Sequence, residues 1–146
     1  MSHYQHVLFA TDLTAESDLL LKKAHEFAKQ YQAKLSIVHV LQQNAFIRGA
    51  TEFVISPDSG FEASLTEQVG IALTKQAQSV GIPQDCQWLL VGSIKQEVLE
   101  LIAKQKVDCL AIGAHEHHGL AVLFGTATDQ FMLALPCDIL GLRTRR

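Results

Sequence analysis

The strongest constraint on the fold is a regular alternation between short apolar runs and longer amphipathic segments. The apolar runs occupy 6–12, 34–40, 86–92, 108–113 and 137–143. Their apolar residues are consecutive, which is typical of strands covered on both faces. Strands that alternate with helices predict a mainly parallel sheet with helices on both sides.

Four helices are expected between these strands. The first has apolar residues at helical spacing from Leu19 to Tyr31, and the second has them from Leu65 to Val80. The third begins at Ser93, which forms a capping-box pattern with Gln96, and the fourth runs through Phe131. The whole pattern is β-α-β-α-β-α-β-α-β.

A long loop is expected over 41–60, where the helical and strand periodicities are lost. The 146 residues fit one domain, 1–146, with 48% hydrophobic and 18% charged residues. A net charge of −3 offers no basic surface for nucleic acid or an anionic membrane. No apolar run is long enough for a bilayer span, and the N-terminus lacks signal-peptide features.

The cysteines favour a cytoplasmic protein. Cys86, Cys109 and Cys137 are odd in number and far apart, and each lies in or beside an apolar segment. Such cysteines are typical of buried thiols in a reducing compartment and do not suggest a disulfide framework.

The segment "IGAHEHHGLAVLFGTAT" concentrates several candidate ligands. A helical zinc site needs two histidines four residues apart, whereas the spacings within His115–His118 are one, two and three. His115 and His117 could meet a metal only on an extended chain. The alternative is a solvated loop with incidental metal affinity.

The same segment has features of a phosphate site. Gly113 ends a strand, and Gly125 with Thr126 opens the next helix, whose first turn offers free N–H donors. The structural alternative is that Gly125 only forms the turn while Thr126 or Thr128 caps the helix.

Asp12, just past the first strand, has two possible roles as well. It could bind a ribose hydroxyl or a metal, or it could cap the following helix, as Thr14 could. Ligands on parallel sheets bind beyond the carboxyl ends of the strands, where the strand order reverses. His39 is expected to be packed or to lie at the rim of the sheet.

Four stretches together resemble the universal stress protein A family: "YQHVLFATDLTAES", "AKLSIVHV", "GSIKQEVLELIAKQKVDCLAIGAH" and "LPCDILGLR". The resemblance covers essentially the whole chain. It implies an adenine nucleotide alpha hydrolase-like domain with a five-stranded parallel sheet in order 3-2-1-4-5 and four helices. It also implies a homodimer formed through strand 137–143, and a regulatory or protective role under stress without enzymatic activity.

Nucleotide-binding members of that family carry Gly-x2-Gly-x9-Gly-Ser/Thr after the fourth strand. Here Gly113 matches the first glycine, Glu116 replaces the second, and Gly125-Thr126 closes the pattern after 12 positions instead of 13. The carboxylate of Glu116 and a nucleotide phosphate are both negative, and two like charges about 4 Å apart repel by about 4 kcal/mol at an effective dielectric constant near 20. The loop is therefore expected to be degenerate, like that of universal stress protein A itself.

Two alternatives follow from the same residues. In the first, the chain is a switch that binds ATP or AMP with Mg²⁺, with slow hydrolysis or self-phosphorylation. By resemblance, Asp12 and Val40 would then contact the nucleoside, and Gly113, Gly125 and Thr126 the phosphates. In the second, the chain is a metal-responsive protein that uses the 115–118 histidine loop.

Overall fold

The computed structural model describes residues 3–41, 61–114 and 134–144. The strands are β1 (His6–Ala10), β2 (Lys34–Leu41), β3 (Gln87–Val91), β4 (Cys109–Gly113) and β5 (Asp138–Leu142). The helices are α1 (Ala15–Gln30), α2 (Phe61–Gln78) and α3 (Ile94–Gln105), and a 3-10 turn spans Gln84–Cys86.

The five strands form one parallel sheet in the order β3-β2-β1-β4-β5, as expected from the resemblance. In the centre of the sheet, Phe9 of β1 pairs with Ile37 of β2 on one side and with Ala111 of β4 on the other. The chain runs from β1 toward one edge and later returns to the other side of β1. The strand order therefore reverses between β1 and β4.

Each face of the sheet has its own apolar core. Val7 and Phe9 pack with residues of α1 and α2, whereas Leu8 packs with residues of α3 on the opposite face. All three side chains are at most 1% exposed. Burial on both faces explains why the apolar residues of the strands are consecutive, since side chains alternate between faces.

The start of α1 is fixed by local hydrogen bonds. Thr14 is the N-cap, and its side chain accepts a 3.3 Å hydrogen bond from the backbone N–H of Ser17. Glu16 and Asp18 lie in the first turn and Lys29 in the last, which complements the helix dipole. These contacts place the N-terminus of α1 directly after the β1 turn.

Several predicted boundaries differ from the structure. The first strand ends at Ala10, two residues before the predicted end, because Thr11 and Asp12 turn toward α1. The third strand begins at Gln87, since Cys86 belongs to the 3-10 turn. The second strand continues to Leu41, one residue into the predicted loop.

The capping box at Ser93 was only partly correct. Ser93 is the N-cap of α3, as predicted, but its side chain makes no capping hydrogen bond in the described part of the chain. The side-chain amide of Gln96 donates instead to Glu100 Oε2 at 3.2 Å, one turn further along the helix. This pairing directs Gln96 away from the helix start.

The described ranges contain three α-helices, and none of them has the length and apolar character that crossing a bilayer requires. The helix expected through Phe131 and nearly all of the loop expected over 41–60 fall outside the described residues. Cys86 and Cys109 are buried free thiols, as expected, whereas Cys137 is half-buried.

Candidate functional site

The candidate site is the carboxyl edge of the sheet where the strand order reverses, next to the turn 11–14, the end of β2 at 39–41 and the end of β4 at 113–114; this edge is called the crevice below. β1 pairs with β2 only as far as Ala10, which lies opposite Val38. β2 then continues along β3 to Leu41. In the described residues β1 therefore ends before β2 at the point where the strand order reverses, which is where ligands bind on doubly wound sheets.

Thr11 is held from several sides at the base of the crevice. Its backbone N–H donates to the carbonyl of Val38 at 2.9 Å, and its carbonyl lies 2.7 Å from Nδ1 of His39. Its Oγ1 accepts the backbone N–H of Leu13 at 3.0 Å. The turn that carries Asp12 is therefore anchored to β2.

The carboxylate of Asp12 organises the start of α1. Oδ1 accepts from the backbone N–H of Thr14 at 3.0 Å and from the Thr14 hydroxyl at 2.7 Å. Asp12 thus holds the N-cap residue, so the capping interpretation applies to it indirectly and to Thr14 directly. Asp12 is half-buried at the crevice, and its contact to a ribose, expected from the resemblance, stays a prediction.

His39 is half-buried at the rim of the crevice, as expected for a histidine that is packed or lies at the rim of the sheet. The Thr11 carbonyl can only accept, so Nδ1 carries a hydrogen, and in the neutral ring Nε2 is an acceptor. Burial lowers the pKa of His39, while the hydrogen bond to Thr11 and the charge of Asp12 partly oppose this. The neutral imidazole is therefore favoured.

Val40 and Gly113 border the crevice through their backbones. The Val38 carbonyl points to β1 and the Leu41 carbonyl accepts from Gly92, just after β3, so alternation directs the Val40 peptide groups to the crevice side. The Val40 side chain is buried in the α3-side core. Gly113 ends β4 opposite Leu142.

The remaining predicted site residues lie outside the described ranges: Gly125 and Thr126 of the phosphate loop, and His115 and His117 of the metal candidate. Within the described ranges, no group of three or more His, Cys, Asp or Glu side chains could hold a metal ion. The structure therefore brings Asp12, Val40 and Gly113 to one edge of the sheet.

Sequence reasoning missed Gln76, whose side chain reaches the base of the crevice from α2. Gln76 is buried and bonds to the hydroxyl of Thr11 at 2.6 Å. A signal was present, because Gln76 interrupts the apolar stripe formed by Leu73, Ala77 and Val80. A polar residue in such a stripe needs a buried hydrogen-bond partner.

Comparison with known proteins gives consistent relatives. The model of the universal stress protein family matches residues 3–143. Universal stress protein A homolog 1 of Coxiella burnetii is 33% identical over 140 residues, with 96% of each chain covered. The universal stress protein A homolog of Haemophilus influenzae is 32% identical over 142 residues, covering 97% of this chain and 98% of its own.

Solved structures share the fold. Hypothetical protein MJ0577 superposes with a TM-score of 0.70 at 18% identity, with 98% of each chain covered. A universal stress protein in complex with cAMP has a TM-score of 0.59 at 23% identity, covering 99% of this chain and 100% of its own. With the family match over residues 3–143 and two relatives above 30% identity over nearly their whole length, the chain belongs to the universal stress protein family.

Proposed function

We propose that this chain is a cytoplasmic, homodimeric universal stress protein with a regulatory or protective role, and that it is not an enzyme. Its crevice would bind adenine nucleotides weakly, because the phosphate loop is degenerate. The observation that carries this proposal is the contrast between the two parts of the site. Asp12, Val40 and Gly113 border the crevice, whereas Glu116 and the shortened glycine interval depart from the phosphate-binding pattern.

The hydrogen bonds at the crevice support a binding role rather than a catalytic one. The Thr11 hydroxyl bonds to Gln76, and Asp12 Oδ1 accepts twice from Thr14. His39 Nδ1 is committed to the carbonyl of Thr11. A nucleophile activated by an adjacent base needs a direct hydrogen bond between the two, and the Thr11 hydroxyl donates to Gln76 and not to the ring of His39. The free thiols Cys86, Cys109 and Cys137 fit a reducing compartment.

Calorimetric titration with ATP and with AMP, both in the presence of Mg²⁺, tests whether the phosphate loop is degenerate. We expect ATP to bind no more tightly than AMP, because Glu116 stands in the sequence where the nucleotide-binding pattern has a glycine, and its charge would repel the extra phosphates. Glu116→Gly should tighten ATP binding by at least about tenfold, and Glu116→Gln should separate the charge effect from the backbone effect. Low-micromolar ATP binding by the unmodified protein would contradict the proposal.

The second candidate is an ATP or AMP switch in the same crevice. The similar universal stress protein solved in complex with cAMP favours it. Asp12 would contact the ribose, the Val40 peptide groups the adenine, and Gly113 with Gly125 and Thr126 the phosphates. In this case Thr126→Ala should weaken binding by about 1–3 kcal/mol, the cost of a lost bond to a charged group. An unchanged affinity would count against the switch.

The proposed dimer interface is the outer edge of β5. The N–H of Asp138 donates to Asp108, and the Leu142 carbonyl accepts from Ala114, so residues 138, 140 and 142 face β4. Alternation then directs the peptide groups of Ile139 and Gly141 outward. Antiparallel pairing with a second copy would satisfy these groups and form a two-fold interface.

Light scattering at micromolar concentration tests the dimer. Gly141→Pro removes one outward N–H without removing a bond to β4, and we expect it to shift the protein toward monomer. Gly141→Ala retains the N–H and should remain dimeric. A monomeric unmodified protein would refute the interface.

A further inference from the structure

A buried polar cluster links α2 to the base of the crevice. Thr11, Ser17 and Gln76 are 6%, 2% and 6% exposed, so all three side chains are inside the protein. They come from the β1 turn, from α1 and from α2. Buried polar groups are costly unless their hydrogen bonds are satisfied, so the bonding pattern of this cluster is tightly constrained.

The amide of Gln76 is at the centre of this cluster. Its Oε1 accepts from the Thr11 hydroxyl at 2.6 Å. Its Nε2 donates to Ser17 Oγ at 2.9 Å and to Asp18 Oδ1 at 2.7 Å. Both N–H donors and the carbonyl oxygen are therefore engaged, and one side chain joins two residues of α1 to the β1 turn.

The direction of these bonds is fixed by chemistry. An ionised Asp18 can only accept, so Nε2 of Gln76 must face it and Oε1 must face Thr11. The Thr11 hydroxyl then has to donate to Gln76. Its oxygen is left to accept the backbone N–H of Leu13 at 3.0 Å. The orientation set at α1 is thus passed through Gln76 to the turn.

The turn needs such support. Leu13 has a φ of 62°, in the left-handed region that residues other than glycine rarely adopt. A conformation of this kind persists only when surrounding contacts over-determine it. The bond from Leu13 to Thr11, held in turn by Gln76, is one such contact.

We propose that Gln76 is a positioning residue for the crevice. It fixes the turn 11–14, and with it the carboxylate of Asp12, so that α2 and the crevice are energetically coupled. Only the identity of the ligand rests on the function proposed above. The coupling itself rests on the hydrogen bonds from Gln76 through Thr11 to Leu13.

Amide hydrogen exchange measured by NMR tests the positioning role without a ligand. In Gln76→Leu, the Leu13 amide should exchange at least about tenfold faster relative to the amides of β4. The Thr11 hydroxyl that accepts the Leu13 N–H is then no longer held by Gln76, so the turn opens more easily. Gln87→Leu is the matched control. Gln87 donates from β3 to the Ile82 carbonyl at 3.0 Å, and its loss should leave Leu13 unchanged. An unchanged Leu13 rate in Gln76→Leu would overturn the proposal.

A second pair of variants, Gln76→Glu alone and combined with Asp18→Asn, tests the same proposal if Gln76→Leu does not fold. Gln76→Glu loses both donors and sets a second carboxylate against Asp18, so Leu13 exchange should accelerate. Adding Asp18→Asn restores a donor opposite residue 76 and should bring the Leu13 rate back toward that of the unmodified protein. A double variant no slower than Gln76→Glu alone would contradict the directional chain.

Calorimetry with Mg²⁺ and AMP, in parallel with ATP, tests the coupling to the crevice. Gln76→Leu should weaken whichever nucleotide binds by about fivefold to tenfold, corresponding to about one lost hydrogen bond, while Gln87→Leu should not. Faster Leu13 exchange with unchanged affinity would overturn the coupling. An unmodified protein that binds neither nucleotide would overturn the ligand assignment, and the exchange rates alone would then decide the role of Gln76.

Discussion

The imidazole of His6 lies 2.7 Å from the hydroxyl of Ser36, measured from Nε2 to Oγ, in the interior between β1 and β2. The other ring nitrogen, Nδ1, is 3.0 Å from the carbonyl oxygen of Gln105. That carbonyl can only accept, so the neutral ring carries its hydrogen on Nδ1, and the Ser36 hydroxyl donates to Nε2. Burial lowers the pKa of His6.

This burial predicts a loss of stability in mild acid. An unfolded histidine titrates near pH 6.5, whereas folded His6 titrates lower, so the unfolded state binds more protons between the two values. The contribution of His6 is therefore complete above about pH 6.5 and decreases as the pH falls toward its folded pKa. Urea unfolding at several pH values should show this slope.

His6→Asn should flatten that slope while keeping a donor for the Gln105 carbonyl. It should also cost about 1–3 kcal/mol near neutral pH, because the Ser36 hydroxyl loses its buried partner. His39, whose pKa is also lowered by burial, should account for part of the remaining slope. An identical slope in His6→Asn would show that His6 does not control the acid response.

Thiol labelling should be slow in the native protein. Burial raises the pKa of Cys109 to about 12 and that of Cys137 to about 11. At pH 8 their thiolate fractions are then about one in ten thousand and about one in a thousand, and the thiolate is the reactive form. An aromatic disulfide reagent should label Cys137 before Cys109 and all three cysteines in urea. Cys137→Ser should remove the earlier phase, and rapid labelling of Cys109 in native protein would contradict the assignment.

Replacing Lys106 by glycine should stabilise the protein. Lys106 is the C-cap of α3 and has φ 55° and ψ 48°, a left-handed conformation that glycine adopts without steric cost. We expect Lys106→Gly to raise the free energy of unfolding by about 0.5–1 kcal/mol. Lys104→Gly, within the same helix, should lower it by about 1 kcal/mol. Urea midpoints that move in the same direction would refute this explanation.

The N-cap residues Thr14 and Ser93 should respond differently to replacement by alanine. The Thr14 side chain accepts from Ser17 and donates to Asp12, so Thr14→Ala should cost about 1 kcal/mol or slightly more. The Ser93 side chain makes no capping bond, so Ser93→Ala should stay within about 0.5 kcal/mol. Equal losses in thermal or urea unfolding would contradict the observed geometry.

The strands could be located from the sequence because both faces of the sheet are covered. Val7, Leu8 and Phe9 form an uninterrupted apolar run, and the run ends at the polar residues that begin the turn. The strand order could not be obtained from such runs. It depends on contacts such as Phe9 with Ala111, which are distant in the chain, and it came from the resemblance to a family.

The residues of the crevice that the strand order places there could be predicted from the sequence. The side-chain hydrogen bonds between residues distant in the chain could not. Asp12 and Gly113 follow strands on either side of the reversal, so a general rule for parallel sheets places them together. Gln76 was missed because its partner Thr11 is 65 residues away. Gln96 misled the capping prediction because it had two possible partners, and Glu100 is the one it bonds.

The central position of β1 also determines the order in which the sheet can be completed during synthesis. β2 follows soon after β1 and can pair with it as the nascent chain emerges, but β4 begins only at Cys109. The edge of β1 that pairs with β4 therefore stays unpaired until β4 has been synthesised. Long waits of this kind slow folding and leave strand edges open to aggregation, so this domain should benefit from chaperone protection on the ribosome.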